Sequence, residues 1–332
     1  MLDEAVAAGV CPGGQLVAGD RGAPAIRLAF GQRPGPAVTF DTYYDVASVT
    51  KASVTSLLTL LLVGDGRLGW DTPADRFVPE APPGVRVRDL LAHASGLPAW
   101  RPLYERAQDR DALVRLAAGE PVERPPGEAS VYSDLGFIVL GAMVERAGGA
   151  RLDEQAARRL FQPLGMSRSR FVDLAAPDRP SPVAATEHGL AGEVHDENCH
   201  AAGGILGHAG LFSTADDLSL LAMALLRAWH GDATLFPPEL LRVLFSPCSI
   251  PGSTWRLGWD GPSEGESQAG RRWPRDGVGH LGFTGCSLWL DPPRSRWVVL
   301  LTNRVHPTRD DTRIKQLRPR VHDAVVELFD QA

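Results

Sequence analysis

The stretch "DVASVTKASVTSLLTLLL" (residues 45–62) joins a possible nucleophile to the start of an apolar helix. Downstream of Ser48, apolar residues recur at the spacing of one helix face, namely Val54, Leu57, Leu58, Leu61 and Leu62. Gly64 and Gly66 then end the pattern. Because Ser48 and Lys51 are three residues apart, one helical turn brings their side chains to the same face, within reach of each other.

The lysine in this stretch is unusual, because the chain has only two lysines, Lys51 and Lys315, among its 34 lysines and arginines. A serine hydroxyl becomes a strong nucleophile only when a neighbouring base takes its proton. A lysine whose pKa is depressed by burial or by neighbouring charge can be that base, whereas an arginine keeps its proton. The pattern S-x-x-K therefore makes Ser48 a candidate nucleophile and Lys51 its candidate base. The alternative is a helix cap followed by a solvated lysine.

Two further motifs lie downstream, "YSD" at residues 132–134 and "GHLGFTG" at residues 279–285. A tyrosine on a loop before a helix, such as Tyr132, can pass a proton between nucleophile and leaving group. The alternative is a half-buried tyrosine followed by a helix cap. In the third motif, "GHLGFTG", His280 precedes Gly282, which has no side chain, so a substrate can lie along the strand. The alternative there is a glycine-rich strand end with an exposed histidine.

The three motifs, in this order, resemble those of the serine penicillin-recognising enzymes. The surrounding segments "YDVASVTKA", "LLAHASGLP", "PGEASVYSDLGFIVLG", "GHAGLFSTADDL" and "GHLGFTGCSLWLDP" are similar to members of one branch of that superfamily. This branch contains the class C β-lactamases and the D-alanyl-D-alanine carboxypeptidase-like proteins. The resemblance extends over about residues 8–328.

The resemblance implies a role for each motif residue. Ser48 would be the acylated nucleophile, Lys51 its proton acceptor, and Tyr132 an aid to proton transfer to the leaving group and from the deacylating water. His280 would take the place often held by lysine in the third motif, where it would orient the substrate and tune Tyr132. The oxyanion hole would consist of the backbone N–H groups of Ser48 and Phe283.

One position departs from the pattern of the superfamily. The second motif usually ends in asparagine, whose amide can donate a hydrogen bond to a substrate carbonyl, but here it ends in Asp134. An ionised aspartate only accepts hydrogen bonds. The departure weakens the case for recognition of a β-lactam side chain, and it is compatible with an esterase or with a different amide substrate.

The segment "GEVHDENCHAAGGILGHAG" (residues 192–210) is rich in possible ligands. Its spacing H-D-E-x-x-H differs from the zinc motif H-E-x-x-H, and its glycines argue against the helix that this motif requires. We therefore expect neither a metal at His195 and His200 nor any other cofactor. We interpret the segment as a loop that lines the cleft, with His195 or Asp196 touching the substrate. It resembles a stretch of one subset of the family, in which some members look like exo-acting N-acetylmuramoyl-L-alanine amidases of cell-wall recycling.

Periodicity predicts an α/β (α+β) fold. Strands are expected at residues 13–19, 25–31 and on both sides of the Pro-Pro turn between 278 and 304, and they could form one antiparallel sheet. Helices are expected at residues 2–10, 48–62, 87–93, 105–118, 134–147, 152–162, 213–229 and 310–329, with an irregular stretch at 172–205. Terminal helices would flank the sheet. Residues 1–66 and 205–332 would form the sheet domain and 67–204 an inserted, mostly helical lobe, with the site at the interface.

Composition narrows the possible partners and location. The net charge of −6 and the absence of a basic run argue against a nucleic-acid or anionic-membrane surface. No segment reaches the roughly 18 apolar residues of a membrane span. The N-terminus has acids where a signal peptide has basic residues. We therefore expect a cytoplasmic protein with free cysteines, or a periplasmic or secreted one if a signal was trimmed. The oligomeric state stays open.

These observations predict a serine hydrolase that cleaves an amide or ester through a Ser48 acyl-enzyme. The favoured substrate is a peptidoglycan-derived peptide or muropeptide. The alternatives are a carboxylesterase, a true class C-like β-lactamase, and a non-catalytic protein that binds wall fragments. A tryptophan near the mouth of the cleft would suit a sugar or peptide, and the candidates are Trp100, Trp255, Trp259, Trp273 and Trp289.

Overall fold

The computed structural model describes residues 1–33 and 35–331, and its strands form two antiparallel sheets. In chain order the strands are β1 (Gly13–Asp20), β2 (Ala23–Gly31), β3 (Tyr44–Asp45), β4 (Arg170–Phe171), β5 (Leu211–Ser213), β6 (Val278–Leu281), β7 (Ser287–Asp291) and β8 (Arg296–Thr302). The large sheet has the strand order β2-β1-β8-β7-β6 and the small one β3-β5-β4. The expectation that the two strand regions join in one antiparallel sheet is confirmed.

The hairpin of β1 and β2 turns in the gap between the two predicted strands. Arg21 and Gly22 both adopt a positive φ, of 50° and 79°, a conformation that glycine adopts without steric cost. Strand β1 is flanked by β2 and β8 and is buried along almost its whole length, whereas β2 lies at the edge and is mostly exposed.

Most of the helices lie between the two strand regions. In chain order they are α1 (Leu2–Ala7), α2 (Leu57–Gly64), α3 (Val87–Leu91), α4 (Arg110–Gly119), α5 (Asp134–Gly148), α6 (Leu152–Ala156), α7 (Gln162–Leu164), α8 (Glu197–Ala201), α9 (Ala215–Trp229), α10 (Pro238–Phe245) and α11 (Ile314–Gln331). Short 3-10 turns occur at Ala74–Arg76, Leu103–Glu105 and Glu187–Gly189, and π-helical segments at Lys51–Ser56 and Ala157–Phe161. Within the described residues, no helix combines the length and the apolar character needed to cross a bilayer.

The large sheet is covered on both faces. On one face α1 and α11 pack over apolar residues of the sheet such as Leu16, Trp289 and Leu300. On the other face α2, α9 and α10 pack over Val17 and other residues of the neighbouring strands. The terminal helices thus flank the sheet as expected, and burial of apolar surface on both faces stabilises the layers.

A further apolar cluster lies among α3, α4 and α5, with Leu90, Leu113 and Phe137 fully buried in it. These helices belong to the stretch 67–204, which was expected to be an inserted helical lobe. The division of the chain at residues 66 and 205 stays a prediction.

Several predicted boundaries differ from the structure, two of them because a capping residue sets the start of the helix. Helix α4 begins at Arg110 rather than 105, since the Asp109 carboxylate accepts the N–H of Ala112. Helix α9 begins at Ala215 rather than 213, since the Thr214 side chain accepts the N–H of Asp217. The terminal helix begins at Ile314, four residues later than expected from 310. Helix α10 was not predicted. The segment 172–205 was expected to be irregular, and it contains the short helix α8, which begins after His195.

The opening stretch forms a helix that is buried on all sides rather than on one face. Its first part is π-helical from Lys51 to Ser56, and α2 continues it directly. The polar side chains buried here bond to backbone carbonyls, for example Thr55 to Gly207 at 2.6 Å. A π-helical segment often marks a functional position, and this one begins at Lys51.

Candidate active site

A cleft of about 650 Å³ opens between the start of the Lys51 helix and the end of β6. Most of the candidate residues of the three motifs and of the 192–210 segment line it. The lining residues relevant here are Ser48, Tyr132, Asp134, His195, Asp196, His280, Gly282 and Phe283. Lys51 lies beneath them and is fully buried. Residues more than two hundred positions apart therefore meet in one place.

The turn before Ser48 is strained, and the side chain of Asp45 holds it in place. Ala47 adopts a positive φ of 48°, which is uncommon for a residue with a side chain. The carboxylate of Asp45 accepts the N–H of Ala47 at 2.8 Å and the N–H of His195 at 2.8 Å. Asp45 is fully enclosed and was not identified from the sequence. It fixes the backbone that presents Ser48 to the cleft.

Lys51 connects the nucleophile to the second motif. Its Nζ donates to Ser48 Oγ at 2.9 Å and to the carbonyl oxygen of His208 at 3.0 Å. It lies 2.7 Å from Oδ1 of Asp134. The alternative of a solvated lysine is therefore wrong. The alternative for the second motif, a half-buried tyrosine followed by a helix cap, is seen together with the contact of Asp134 with Lys51. Ser133 does cap α5, by accepting the N–H of Gly136.

The charge state of Lys51 differs from the expectation that its pKa is lowered. Burial alone lowers the pKa of Lys51, but the neighbouring Asp134 carboxylate and the Tyr132 phenol outweigh burial, so the pKa is raised. The lysine is therefore a charged ammonium in the resting site. The charge on Lys51 follows from Asp134, the aspartate that stands where the second motif usually has asparagine.

Tyr132 lies against this ammonium, with its ring centre 4.8 Å from Lys51 Nζ. Burial raises the pKa of Tyr132 to about 12, although the charge of Lys51 acts in the opposite direction. Its hydroxyl is therefore protonated and able to donate. The ring packs against His93 at 4.7 Å between centres and against Trp255 at 5.6 Å.

His280 is buried and neutral, so the alternative of an exposed histidine is wrong. Burial, and then the charge of Lys51, lower its pKa to about 3. Its Nδ1–H donates to the carbonyl of Leu281 at 2.8 Å, which leaves Nε2 as an acceptor. Among the described residues Nε2 has no partner. The third motif therefore supplies a hydrogen-bond acceptor here and not a cation.

Two residues that line the cleft, Ser48 and Phe283, have backbone N–H groups without a partner in the described part of the chain. Neither the N–H of Ser48 nor that of Phe283 donates a hydrogen bond to any residue that the structure describes. Gly282 allows this approach, because a Cβ on it would lie 2.4 Å from the carbonyl oxygen of Val46. Phe283 extends to the mouth of the cleft, where its side chain is 49% exposed.

The side chains of the 192–210 segment already have protein partners. Asp196 caps α8 through the N–H of Cys199 and accepts from His208 Nε2 at 2.8 Å. Burial would raise the pKa of Asp196, but His208 outweighs burial and lowers it to about 2. His195 Nε2 lies 3.1 Å from Glu187. Within residues 1–33 and 35–331, no three histidine, cysteine, aspartate or glutamate side chains are arranged to hold a metal ion.

The tryptophans divide between the cleft and the core. Trp100 and Trp255 line the cleft, and Trp100 is 41% exposed near its mouth. Trp259, Trp273 and Trp289 are buried.

Sequence reasoning also missed His93, which adopts a positive φ of 54° and whose Nδ1 accepts the N–H of Ser133 at 3.0 Å. The only signal for it was its place in "LLAHASGLP".

Comparison with known proteins places this geometry in a family. The model of the β-lactamase family matches residues 1–322. A protein of Escherichia coli K12 named as a D-alanyl-D-alanine carboxypeptidase is 30% identical over 81% of this chain and 70% of its own length. The N-acetylmuramyl-L-alanine amidase of Bacillus subtilis 168 is 31% identical over 92% of this chain and 80% of its own.

Among solved structures, the hydrolase EstCE1, described as having promiscuous acyltransferase activity, superposes with a TM-score of 0.76. It is 20% identical and covers 97% of this chain and 96% of its own, so the likeness concerns the fold alone. The match to the family model over nearly the whole length carries the assignment: this chain belongs to the β-lactamase family and is one of its serine hydrolases.

Proposed function

We propose that this serine hydrolase cleaves an amide bond of a peptidoglycan-derived peptide or muropeptide through an acyl-enzyme on Ser48. One observation carries the proposal. Lys51 Nζ bridges Ser48 Oγ at 2.9 Å and Asp134 at 2.7 Å, in a cleft where two lining residues have backbone N–H groups with no partner among the described residues. A nucleophile in contact with a base, and oxyanion donors in the same cleft, are the parts that acyl transfer needs.

In the acylation step Ser48 Oγ forms a bond to the substrate carbonyl carbon and its proton passes to the neutral amine of Lys51. The N–H groups of Ser48 and Phe283 stabilise the resulting oxyanion. The bond to the leaving amine breaks as Tyr132 gives that amine its proton and takes one back from Lys51.

Deacylation reverses these transfers. Water attacks the ester carbonyl and gives a proton to Tyr132, which relays it to Lys51. When the bond to Ser48 Oγ breaks, Lys51 returns a proton to the serine. The carboxylic acid product leaves and the site returns to its starting state.

The proposed step needs neutral Lys51, whereas Asp134 raises the pKa of Lys51 and holds it charged at rest. The rate is therefore expected to rise with pH, because kcat/KM reports the protonation of the free enzyme. His280 stays neutral throughout, since burial lowers its pKa to about 3.

Support for the substrate class comes from three sources. The two relatives are named for a carboxypeptidase and an amidase. The exposed rings of Trp100 and Phe283 at the mouth offer stacking surface to a sugar or peptide. A neutral His280 provides no cation for the carboxylate of a β-lactam, which disfavours a β-lactamase role.

A carboxylesterase is the second candidate. Asp134 stands where an asparagine amide would donate to a substrate amide carbonyl, and an ester substrate needs that donor less. EstCE1, which shares the fold, is itself described as a hydrolase with acyltransferase activity.

The test is covalent labelling followed by a substrate panel. The purified protein is incubated with a fluorophosphonate and with benzylpenicillin, and intact mass is measured, with Ser48→Ala as the control. We expect an adduct on the wild type only. Turnover of muropeptides, p-nitrophenyl butyrate and nitrocefin is then compared. No adduct with any probe would overturn the proposal, and binding that is unaffected by Ser48→Ala would favour a non-catalytic protein.

The predicted cytoplasmic location is tested separately, by fractionating cells that express the full chain. Recycling of wall fragments inside the cell is the setting that such a location would suit.

A further inference from the structure

Two buried arginines form hydrogen bonds to backbone carbonyls of the loop that follows β6. Arg318, on α11, donates from Nη2 to the carbonyl of Gly282 at 3.0 Å and from Nε to the carbonyl of Gly285 at 3.2 Å. Arg304, after β8, donates from Nε to the carbonyl of Phe283 at 2.8 Å. Both side chains are almost completely enclosed, with the residues 5% and 7% exposed.

In the part of the chain that the structure describes, neither arginine forms an ion pair with a carboxylate. Arg309, the other arginine among the described residues that line the cleft, pairs with Glu187 and Glu197. Burial of a cation without a counter-charge is costly. Burial lowers the pKa of Arg318 to about 10, which reflects this cost. A protein retains such a group more readily where it has a use.

The hydrogen bond from Arg318 to the carbonyl of Gly282 indicates what the buried cation does. The carbonyl of Gly282 and the N–H of Phe283 belong to the same peptide unit, whose atoms are linked by resonance. A guanidinium on the oxygen draws electron density from the nitrogen and makes the N–H a stronger donor. It also fixes the plane of the peptide and so the direction of the N–H.

We propose that Arg318 is a positioning residue that orients and polarises the Gly282–Phe283 peptide, and that the oxyanion formed during catalysis is the anionic partner which this buried cation otherwise lacks. The inference rests on the proposed acyl transfer through Ser48. Arg304 holds the next peptide carbonyl, so the two guanidiniums restrain Phe283 from both sides.

The polarised N–H of Phe283 stabilises the transition state more than the bound substrate. The substrate carbonyl is neutral in the ground state and carries full charge in the tetrahedral intermediate. A stronger N–H donor therefore lowers the barrier more than it improves binding, and the residue affects kcat rather than KM.

The test compares Arg318→Met and Arg318→Lys with the wild type, using p-nitrophenyl butyrate and a boronic acid that forms a tetrahedral adduct with Ser48. Removal of a whole oxyanion donor lowers kcat by about 10²–10³, and loss of its polarising partner should have a smaller effect, about 10–30-fold. We expect this loss in kcat for Arg318→Met with KM within about twofold, and the boronate inhibition constant should rise by the same factor as kcat falls. Arg318→Lys should recover part of both.

The matched control is Arg296→Met. Arg296 also ties α11 to the large sheet, through the carbonyl of Phe329 and ion pairs with Asp20 and Asp330, at the opposite end of the helix. It should change thermal stability but neither kcat nor boronate affinity.

Unchanged kcat and boronate affinity in Arg318→Met would overturn the inference, as would equal losses in Arg296→Met. If Arg318→Met does not fold, Arg318→Lys decides by the same two readouts. A wild type that forms no boronate or phosphonate adduct would overturn the proposed function instead.

Discussion

Replacing Asp134 by asparagine should move the activity of the enzyme towards lower pH. The substitution preserves the shape of the side chain but removes the charge that holds Lys51 as an ammonium. In the wild type the neutral amine is scarce at neutral pH, because Asp134 raises the pKa of Lys51. In Asp134→Asn the buried amine loses its counter-charge, and burial then favours the neutral form that can accept the proton of Ser48.

The magnitude follows from the distance between the two charges. At 2.7 Å and an effective dielectric constant of about 20, the attraction between Lys51 and Asp134 is about 6 kcal/mol. Desolvation of the pair offsets much of this attraction. We take about 2 kcal/mol as the net preference for the charged form, which is about 30-fold in the equilibrium between charged and neutral amine.

The assay is kcat/KM for p-nitrophenyl butyrate between about pH 6 and about pH 10.5, which reports ionisations of the free enzyme. The midpoint of the rise of kcat/KM with pH should lie about 1.5 pH units lower in Asp134→Asn than in the wild type, which corresponds to about 30-fold in the equilibrium between charged and neutral amine. The new amide donor can change kcat/KM through contact with the substrate, but it does so equally at every pH and leaves the midpoint unaffected.

The control variant is Asp216→Asn, which removes the same charge from an exposed ion pair with Arg27 and should leave the midpoint unchanged. An unaltered midpoint in Asp134→Asn would show that Asp134 does not set the charge of Lys51. A folded variant that is inactive at every pH would show that Asp134 itself takes a proton during the reaction.

Two other predictions concern the buried charges. Lys51→Arg should keep the fold but abolish labelling of Ser48 by a fluorophosphonate, since a guanidinium stays protonated; near-normal labelling in intact-mass spectra would show that Lys51 is not the base. Asp196→Asn should lower the free energy of unfolding at neutral pH by about 2 kcal/mol, because His208 depresses the pKa of Asp196 to about 2. The ion pair contributes to stability above the pKa of Asp196 in the unfolded chain, and this contribution disappears as the pH falls through its pKa in the folded protein. Urea titrations at about pH 7 and about pH 3 should therefore show a smaller difference in stability between the variant and the wild type at the lower pH. An equal difference at both pH values would exclude the ion pair as its cause.

The sheet could be predicted from sequence because its strands have clear local signals. The segments around β1 and β2 are short, bounded by glycines and joined by a turn at Asp20 to Gly22, and the structure places them accordingly. Helix ends were harder to predict, since one capping side chain decides them. Asp109 begins α4, and Asp196 begins α8 within a segment whose glycines suggested irregular structure.

The local part of the site could also be predicted. Ser48 and Lys51 are three residues apart, so helical geometry alone brings Nζ within 2.9 Å of Oγ. The charge of Lys51 was not predictable in this way. Burial suggested a lowered pKa, and the opposite direction results from Asp134, whose approach depends on how two distant helices pack.

The residue that best explains why the rest was missed is Asp45. Its carboxylate accepts the N–H of Ala47 and that of His195, and its backbone carbonyl accepts the hydroxyl of Thr284 at 2.8 Å. In the sequence it is an ordinary aspartate before an apolar run, with no spacing that relates it to residues so far downstream. In the fold it joins the turn that carries Ser48 to the loop that carries the N–H of Phe283. The two proposed oxyanion donors therefore keep their separation through a residue that forms a hydrogen bond with neither of them. A long-range contact of this kind has no signature in one sequence, because only the assembled fold brings its partners together.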